Sequence, residues 1–130
     1  MLTGKDYCDK DLSATLMKMG FMGFGYFYYE KDSSKLKATH QSLTVRTAKA
    51  LGHTLAISLY EAQKWLREEK NIDISITISP FEYFATIREF VFWNGKYSFV
   101  TPPTYPNGAK TYEEALLEGI KEAVKILEKK

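Results

Sequence analysis

The sequence predicts an α+β fold, a two-layer sandwich in which an antiparallel β-meander carries helices packed on one face. Three observations lead there. Residues 71–79, NIDISITIS, alternate strictly, with Ile72, Ile74, Ile76 and Ile78 on one side and Asp73, Ser75 and Thr77 on the other. That period belongs to a strand with one buried face. Asn94-Gly95 separates two β-prone runs and is the strongest short hairpin signal a sequence can carry. Two capping boxes, SLYE at 58–61 and TYEE at 111–114, each open a stretch with apolar residues at helical spacing. Strands joined by hairpins and flanked by helices make an antiparallel α+β domain, and the whole chain, 1–130, is read as one such domain.

The elements follow in order. DKDLSATLMKMGF reads as a first helix, with Asp9 or Asp11 as cap and Leu12, Leu16 and Met19 along one face; Gly20 suits the left-handed position past its end and Phe21 the hydrophobic contact that goes with it. Phe24 to Tyr29 reads as a strand, and EKDSSK as a turn. Residues 36–57 stay open: LKATHQSL fits a strand, whereas SLTVRTAKALG fits a short helix by its flanks and a strand by its β-branched Thr44, Val45 and Thr47. A helix from Ser58 to about Lys70 follows, with Leu59, Ala62 and Leu66 inward and Asn71 as its stop. YFATIREFVFW is a second strand after NIDISITIS. A two-residue loop at Asn94-Gly95 pairs Trp93 with Lys96, Phe92 with Tyr97, Val91 with Ser98 and Phe90 with Phe99. The Phe92/Tyr97 and Phe90/Phe99 pairs share a face, taken as the core side. Arg88 then falls on that same apolar face, an anomaly for a charge without a partner. The last helix runs to about Glu128 with Leu116, Ile120, Ala123 and Leu127 as its core stripe.

Composition narrows the function classes. Lys and Arg number 18 against 16 acids, a net charge of +2, which does not by itself imply nucleic acid. Between Lys31 and His53, however, stand five cations (Lys31, Lys35, Lys37, Arg46, Lys49) and one acid, Asp32. Nine Tyr, eight Phe and two Trp make aromatics 15% of the chain, enough for a dense core with some left for a surface. The single cysteine, Cys8, cannot form an internal disulfide and has no metal-site neighbours. Charges in MLTGKDYCDKDL, where a signal peptide has its apolar stretch, lead to the expectation of a reduced, cytoplasmic protein.

MGFGYFYY, Met22 to Tyr29, invites comparison with the RNA-binding octamer of RNA-recognition motifs, whose aromatics stack on bases. That strand is the third of its sheet, and here only a helix precedes it, so the family is excluded and the stretch is expected to be core. The same residues offer a convergent alternative, with Tyr26 and Tyr28 stacking on single-stranded nucleic acid beside Lys35 and Lys37. Glycines placed after a helix and before a strand are in the wrong order for a phosphate loop. Glu113 and Glu114 at the start of the last helix would repel the phosphates met there by double-stranded-RNA-binding domains. His40 and His53 lack acids or Cys at ligand spacing, and Asp6, Asp9 and Asp11 lack the glycine and glutamate of a calcium loop, so no metal and no cofactor is expected. With no nucleophile–base constellation visible, no enzyme is expected either. Trp65 is read as a wedge of its helix against the sheet.

AQKWLREEKNI (62–72) followed by TYEEALLEGIKEAVKIL (111–127) resembles a group of short uncharacterised proteins encoded in prophages and mobile elements of gut anaerobic bacteria, which likewise join a Gln-Lys-Trp-Leu-Arg-Glu helix, a strand and a Tyr-Glu-Glu-Ala-Leu helix. The resemblance covers the second half of the chain and brings no assigned activity. It implies an accessory protein of phage or mobile-element origin. The leading expectation is therefore a non-enzymatic protein that binds a protein partner or its own copy through surplus aromatics such as Trp93, Tyr105 and Tyr112.

Overall fold

A computed structural model describes residues 4–130. It is α+β, with two three-stranded antiparallel sheets in two compact units, residues 4–58 and 59–130.

In the first unit a short 3-10 turn precedes helix α1 (Lys10–Lys18). Asp9 caps it, its side chain accepting from the Leu12 amide at 2.8 Å. The helix ends as expected. Gly20 has φ +104°, the Phe21 amide donates to the Leu16 carbonyl at 3.0 Å and the Gly20 amide to the Met17 carbonyl at 3.1 Å, while the Phe21 ring is buried. Strand β1 (Phe24–Tyr29) is central, flanked by β2 (Leu36–Thr44) and the two-residue β3 (Thr54–Leu55). Between β2 and β3 lies α2 (Val45–Ala50). The open stretch 36–57 is thus a strand, a six-residue helix and a second strand. Thr44 is both the last residue of β2 and the cap of α2, its hydroxyl accepting from the Thr47 amide at 3.1 Å. β-Branched residues at 44, 45 and 47 suit that junction because the first turn of a helix owes more to its cap than to propensity.

The core of this unit is Cys8, Leu12, Leu16, Phe21, Tyr29, Leu43, Val45, Leu55 and Ile57. Ser13 is polar and fully buried, yet satisfied: its hydroxyl donates to the Cys8 carbonyl and accepts from the Ile57 amide.

In the second unit α3 (Leu59–Lys70) buries Leu59, Ala62 and Leu66, and Asn71, at φ +56°, turns the chain into β4 (Ile72–Ile78). Strand β5 (Tyr83–Trp93) pairs with β4 on one side and β6 (Lys96–Phe99) on the other. The hairpin register is the expected one, from Trp93–Lys96 to Phe90–Phe99, and Asn94 and Gly95 both take positive φ, as its two-residue turn requires. Helix α4 (Tyr112–Glu128) is capped by Thr111 and buries Leu116, Ile120, Ala123 and Val124. Gly119 marks where α4 meets the sheet: a Cβ there would lie 2.8 Å from the Ile74 Cγ2 and 3.0 Å from the Ala85 Cβ.

That contact overturns one expectation. Ile72 and Ile74 of β4 and Ala85 and Ile87 of β5 form the buried face. In β5 the odd-numbered residues therefore point inward, and Phe90, Phe92, Tyr97 and Phe99 lie on the opposite, outer face with Arg88. The core-side assignment is reversed because aliphatic and aromatic residues are equally apolar to a period-2 reading, and the close approach of α4 selects the small and branched ones. The Arg88 anomaly disappears with the correction: its guanidinium lies on the outer face, 4.6 Å from the centre of the Phe99 ring.

The expectation that 22–29 is core is likewise corrected. Tyr29 is buried and Phe27 half-buried, but Met22, Phe24 and Tyr26 are exposed. Phe24 and Tyr26 alternate with the inward Phe27 and Tyr29 along β1, and the pairing with β2 is irregular there. Gly25 pairs with Leu43 and Phe27 with Ala38, so two steps along β1 answer to five along β2, and Tyr26 sits at the break.

Candidate functional site

No aromatic residue of 59–130 belongs to the buried core, although twelve of the nineteen aromatics lie there. The largest concentration is on the β5–β6 hairpin. Because β4 begins at Ile72, paired with Glu89, residues 90–99 extend past it as a two-stranded arm. All of residues 91–100 are exposed. On the arm's outer face Phe92 and Tyr97 stand opposite each other with ring centres 4.8 Å apart, and Tyr97 meets Phe90 edge-on at 5.6 Å. Phe92 is 61% exposed, Tyr97 73% and Phe99 55%. Trp93, at the tip, is 73% exposed. Single exposed apolar residues are ordinary, whereas a contiguous exposed cluster is not.

At the root of the arm, beside the C-terminal end of α3, is a cleft of about 680 Å³. Phe90, Tyr97 and Phe99 supply its aromatic side, and Arg67, Glu68, Asn71 and Asp73 its polar side. The Phe90 amide donates to the Asn71 carbonyl at 2.9 Å, which ties the arm to the end of α3. Asp73, directly opposite Arg88 in the sheet, accepts from the Ser75 hydroxyl at 2.9 Å. Neither His nor Cys lines this cleft.

The expected partner residues do not form one patch. Trp93 is at the distal end of β5, and Tyr112 meets Tyr83 edge-on at 6.4 Å at the proximal end. Ten steps of strand at about 3.3 Å each put those two positions roughly 33 Å apart. Tyr105 is exposed in the connection after β6, next to Thr104, which bridges to Ile87 in mid-strand. The residues that do come together, Phe90, Phe92, Tyr97 and Phe99, were placed inside by the face assignment. Arg88 was the signal that could have revealed them, since it shares their face.

In the first unit Tyr28 stands directly across from Lys37, and its ring lies 4.5 Å from that of His53. Tyr26 is 51% exposed, and Lys35 is exposed in the turn before β2. Lys37 donates to the Glu30 carboxylate in an ion pair. The hydrogen bond from Lys37 holds the Glu30 carboxyl below its usual range, and the Glu30 carboxylate raises Lys37 in turn. Lys10 of α1 donates to the carbonyls of Glu30 and Lys31, both at 2.6 Å, fixing the turn. Buried beneath, the Tyr29 hydroxyl donates to the Cys8 carbonyl at 2.7 Å; burial, and then the neighbouring Cys8, Asp9 and Tyr7, push it up to about 12. Trp65 is half-buried on α3, with the Lys70 ammonium 5.4 Å from its ring centre.

Among the described residues no group of three or more His, Cys, Asp or Glu is arranged to hold a metal ion, and no helix is long and apolar enough to cross a membrane. No family model matches the chain, and neither the curated proteins nor the solved structures contain a match to it.

Proposed function

We propose that this is a non-enzymatic accessory protein, of phage or mobile-element origin, that binds a protein partner through the outer face of the β5–β6 arm. One observation carries the reading: Phe92, Tyr97 and Phe99 form a contiguous exposed aromatic cluster on an arm with no third strand beside it. Aromatics are favoured at binding hot spots because they bring large area at low rotamer cost. They lie outside the fully buried core of residues 59–130, which is wholly aliphatic. The polar residues beside the cluster complete the usual anatomy of an apolar centre with a polar rim.

A random-peptide library panned on the immobilised protein tests this. Enriched peptides should bind the native chain with micromolar affinity and lose at least tenfold on the double substitution Phe92→Ser, Tyr97→Ser, with the circular dichroism spectrum unchanged. If no peptide is enriched, or if enriched peptides ignore the double substitution, the reading is wrong.

A second reading is favoured by a separate observation, the exposed Tyr26 with Tyr28 opposite Lys37 and Lys35 nearby. That is an aromatic surface beside cations, as single-stranded nucleic acid requires. The Glu30 carboxylate already engages Lys37, which weakens it. Fluorescence anisotropy of labelled single-stranded DNA and RNA decides the matter: salt-sensitive binding abolished by Tyr26→Ala supports it, and no binding at low salt ends it.

A further inference from the structure

The cleft beside α3 is lined by more acidic groups than basic ones. Ring faces are negative by their quadrupole, and Phe90, Tyr97 and Phe99 supply them on one side. Two carboxylates, Glu68 and Asp73, and one guanidinium, Arg67, line the other. The C-terminal end of a helix is the negative end of its dipole, and α3 ends at Lys70, immediately before the lining residue Asn71. One ring of the aromatic side already carries a cation, since the Arg88 guanidinium lies 4.6 Å from the centre of Phe99.

We infer that this cleft receives a basic side chain, arginine or lysine, presented by the partner protein; the inference rests on the protein-binding reading of the arm and names the chemistry of what it binds. Charge complementarity selects this occupant. A phosphate would meet two carboxylates and the negative end of a helix against the single lining guanidinium of Arg67, and a purely apolar side chain would strip water from Glu68 and Asp73 with nothing in return. A cation finds a carboxylate and a ring face together, the arrangement by which aromatic cages hold cationic groups. The volume of about 680 Å³ lies within the range of ligand sites and exceeds what one side chain fills, leaving room for the backbone that bears it. Arginine is the better fit of the two, because its planar guanidinium stacks on rings and forks onto a carboxylate, whereas the lysine ammonium is a compact, strongly hydrated point charge.

Blocked tetra-arginine, tetra-lysine and tetra-glutamate peptides, titrated into the 15N-labelled full chain at low salt, test the inference. Tetra-arginine should shift the amide resonances of Asp73, Tyr97 and Phe99, with tetra-lysine several-fold weaker and tetra-glutamate silent. Asp73→Asn, which keeps the shape of the side chain, should weaken tetra-arginine about tenfold. Tyr97→Ser, at an exposed position, should do the same, and Glu113→Gln, at the start of α4, should leave the affinity unchanged. Shifts confined to other surfaces, or affinity indifferent to both Asp73→Asn and Tyr97→Ser, overturn the inference. Its failure is separable from failure of the protein-binding reading. Library peptides that depend on Phe92 and Tyr97 but carry no Arg or Lys and tolerate Asp73→Asn would end the basic-side-chain assignment and leave the arm a protein-binding surface.

Discussion

The two units dispose of their aromatics in opposite ways. In residues 4–58 the central strand β1 is paired on both sides and divides its rings, with Tyr29 buried, Phe27 against Tyr7 and Tyr28 against His53, and Phe24 and Tyr26 outside. In residues 59–130 the central strand β5 sends Ala85 and Ile87 inward and carries Phe90 and Phe92 on its outer face, along an arm that outruns β4. The first sheet uses aromatic rings to build a small core; the second has a wholly aliphatic buried core and leaves its rings half-buried or exposed. An aromatic-rich composition therefore means different things in the two halves, structural need in one and surplus in the other.

The sharpest way to break this comparison is within β5 itself. Ile87→Ala, on the inner face, should cost about 2–5 kcal/mol through lost transfer energy and a cavity. Phe92→Ala, five residues along on the outer face, should cost under about 1 kcal/mol, the scale of a cross-strand pair. Urea unfolding of the two variants checks this, and equal losses would reverse the faces. Next in size, Gly119→Val should destabilise by about 1–3 kcal/mol, because its side chain must displace Ile74 and Ala85. A neutral result would mean that α4 stands off the sheet.

In the first unit Tyr29→Phe should cost about 1 kcal/mol at neutral pH, the worth of one hydrogen bond to the Cys8 carbonyl. The same residue makes a pH prediction. Its pKa, about 12 when folded, lies above the ordinary value of 10, so the folded chain holds its proton more tightly. This stabilisation is complete below pH 10 and is lost as pH rises from about 10 to 12. Urea midpoints across that window should fall for the native chain, and the part of the fall due to Tyr29 should be absent in Tyr29→Phe. Smallest are the caps. Thr111→Ala and Thr44→Ala should each cost about 1 kcal/mol or less. Hydrogen exchange should place the first effect along the seventeen residues of α4 and the second within the six of α2.

Most of residues 59–130 was legible from the chain alone. The isoleucine alternation, the Asn-Gly turn and the Thr111 cap each involve residues a few positions apart; the strand and helix are present, with Ile78 exposed at the strand's end, and the hairpin register agrees pair by pair. Residues 36–57 were not legible for a local reason as well. Strand, helix and strand change within twenty residues, Thr44 serves two elements at once, and the bulge opposite Tyr26 interrupts the alternation of β2. The candidate site was legible only in its parts: the paired aromatics of the hairpin and the misplaced Arg88 could be named, and their face could not.

What the sequence determined by itself was the kind and order of the elements of residues 59–130 and the pairing of the hairpin, because turn geometry, capping and side-chain period are set by near neighbours. Only the tertiary structure decided which face of the β5–β6 hairpin is inside. Hydropathy does not distinguish a face of isoleucine and alanine from one of phenylalanine and tyrosine. The choice was made where Gly119 brings α4 against Ile74 and Ala85, since close packing admits the small and branched side chains there and leaves the rings to the surface.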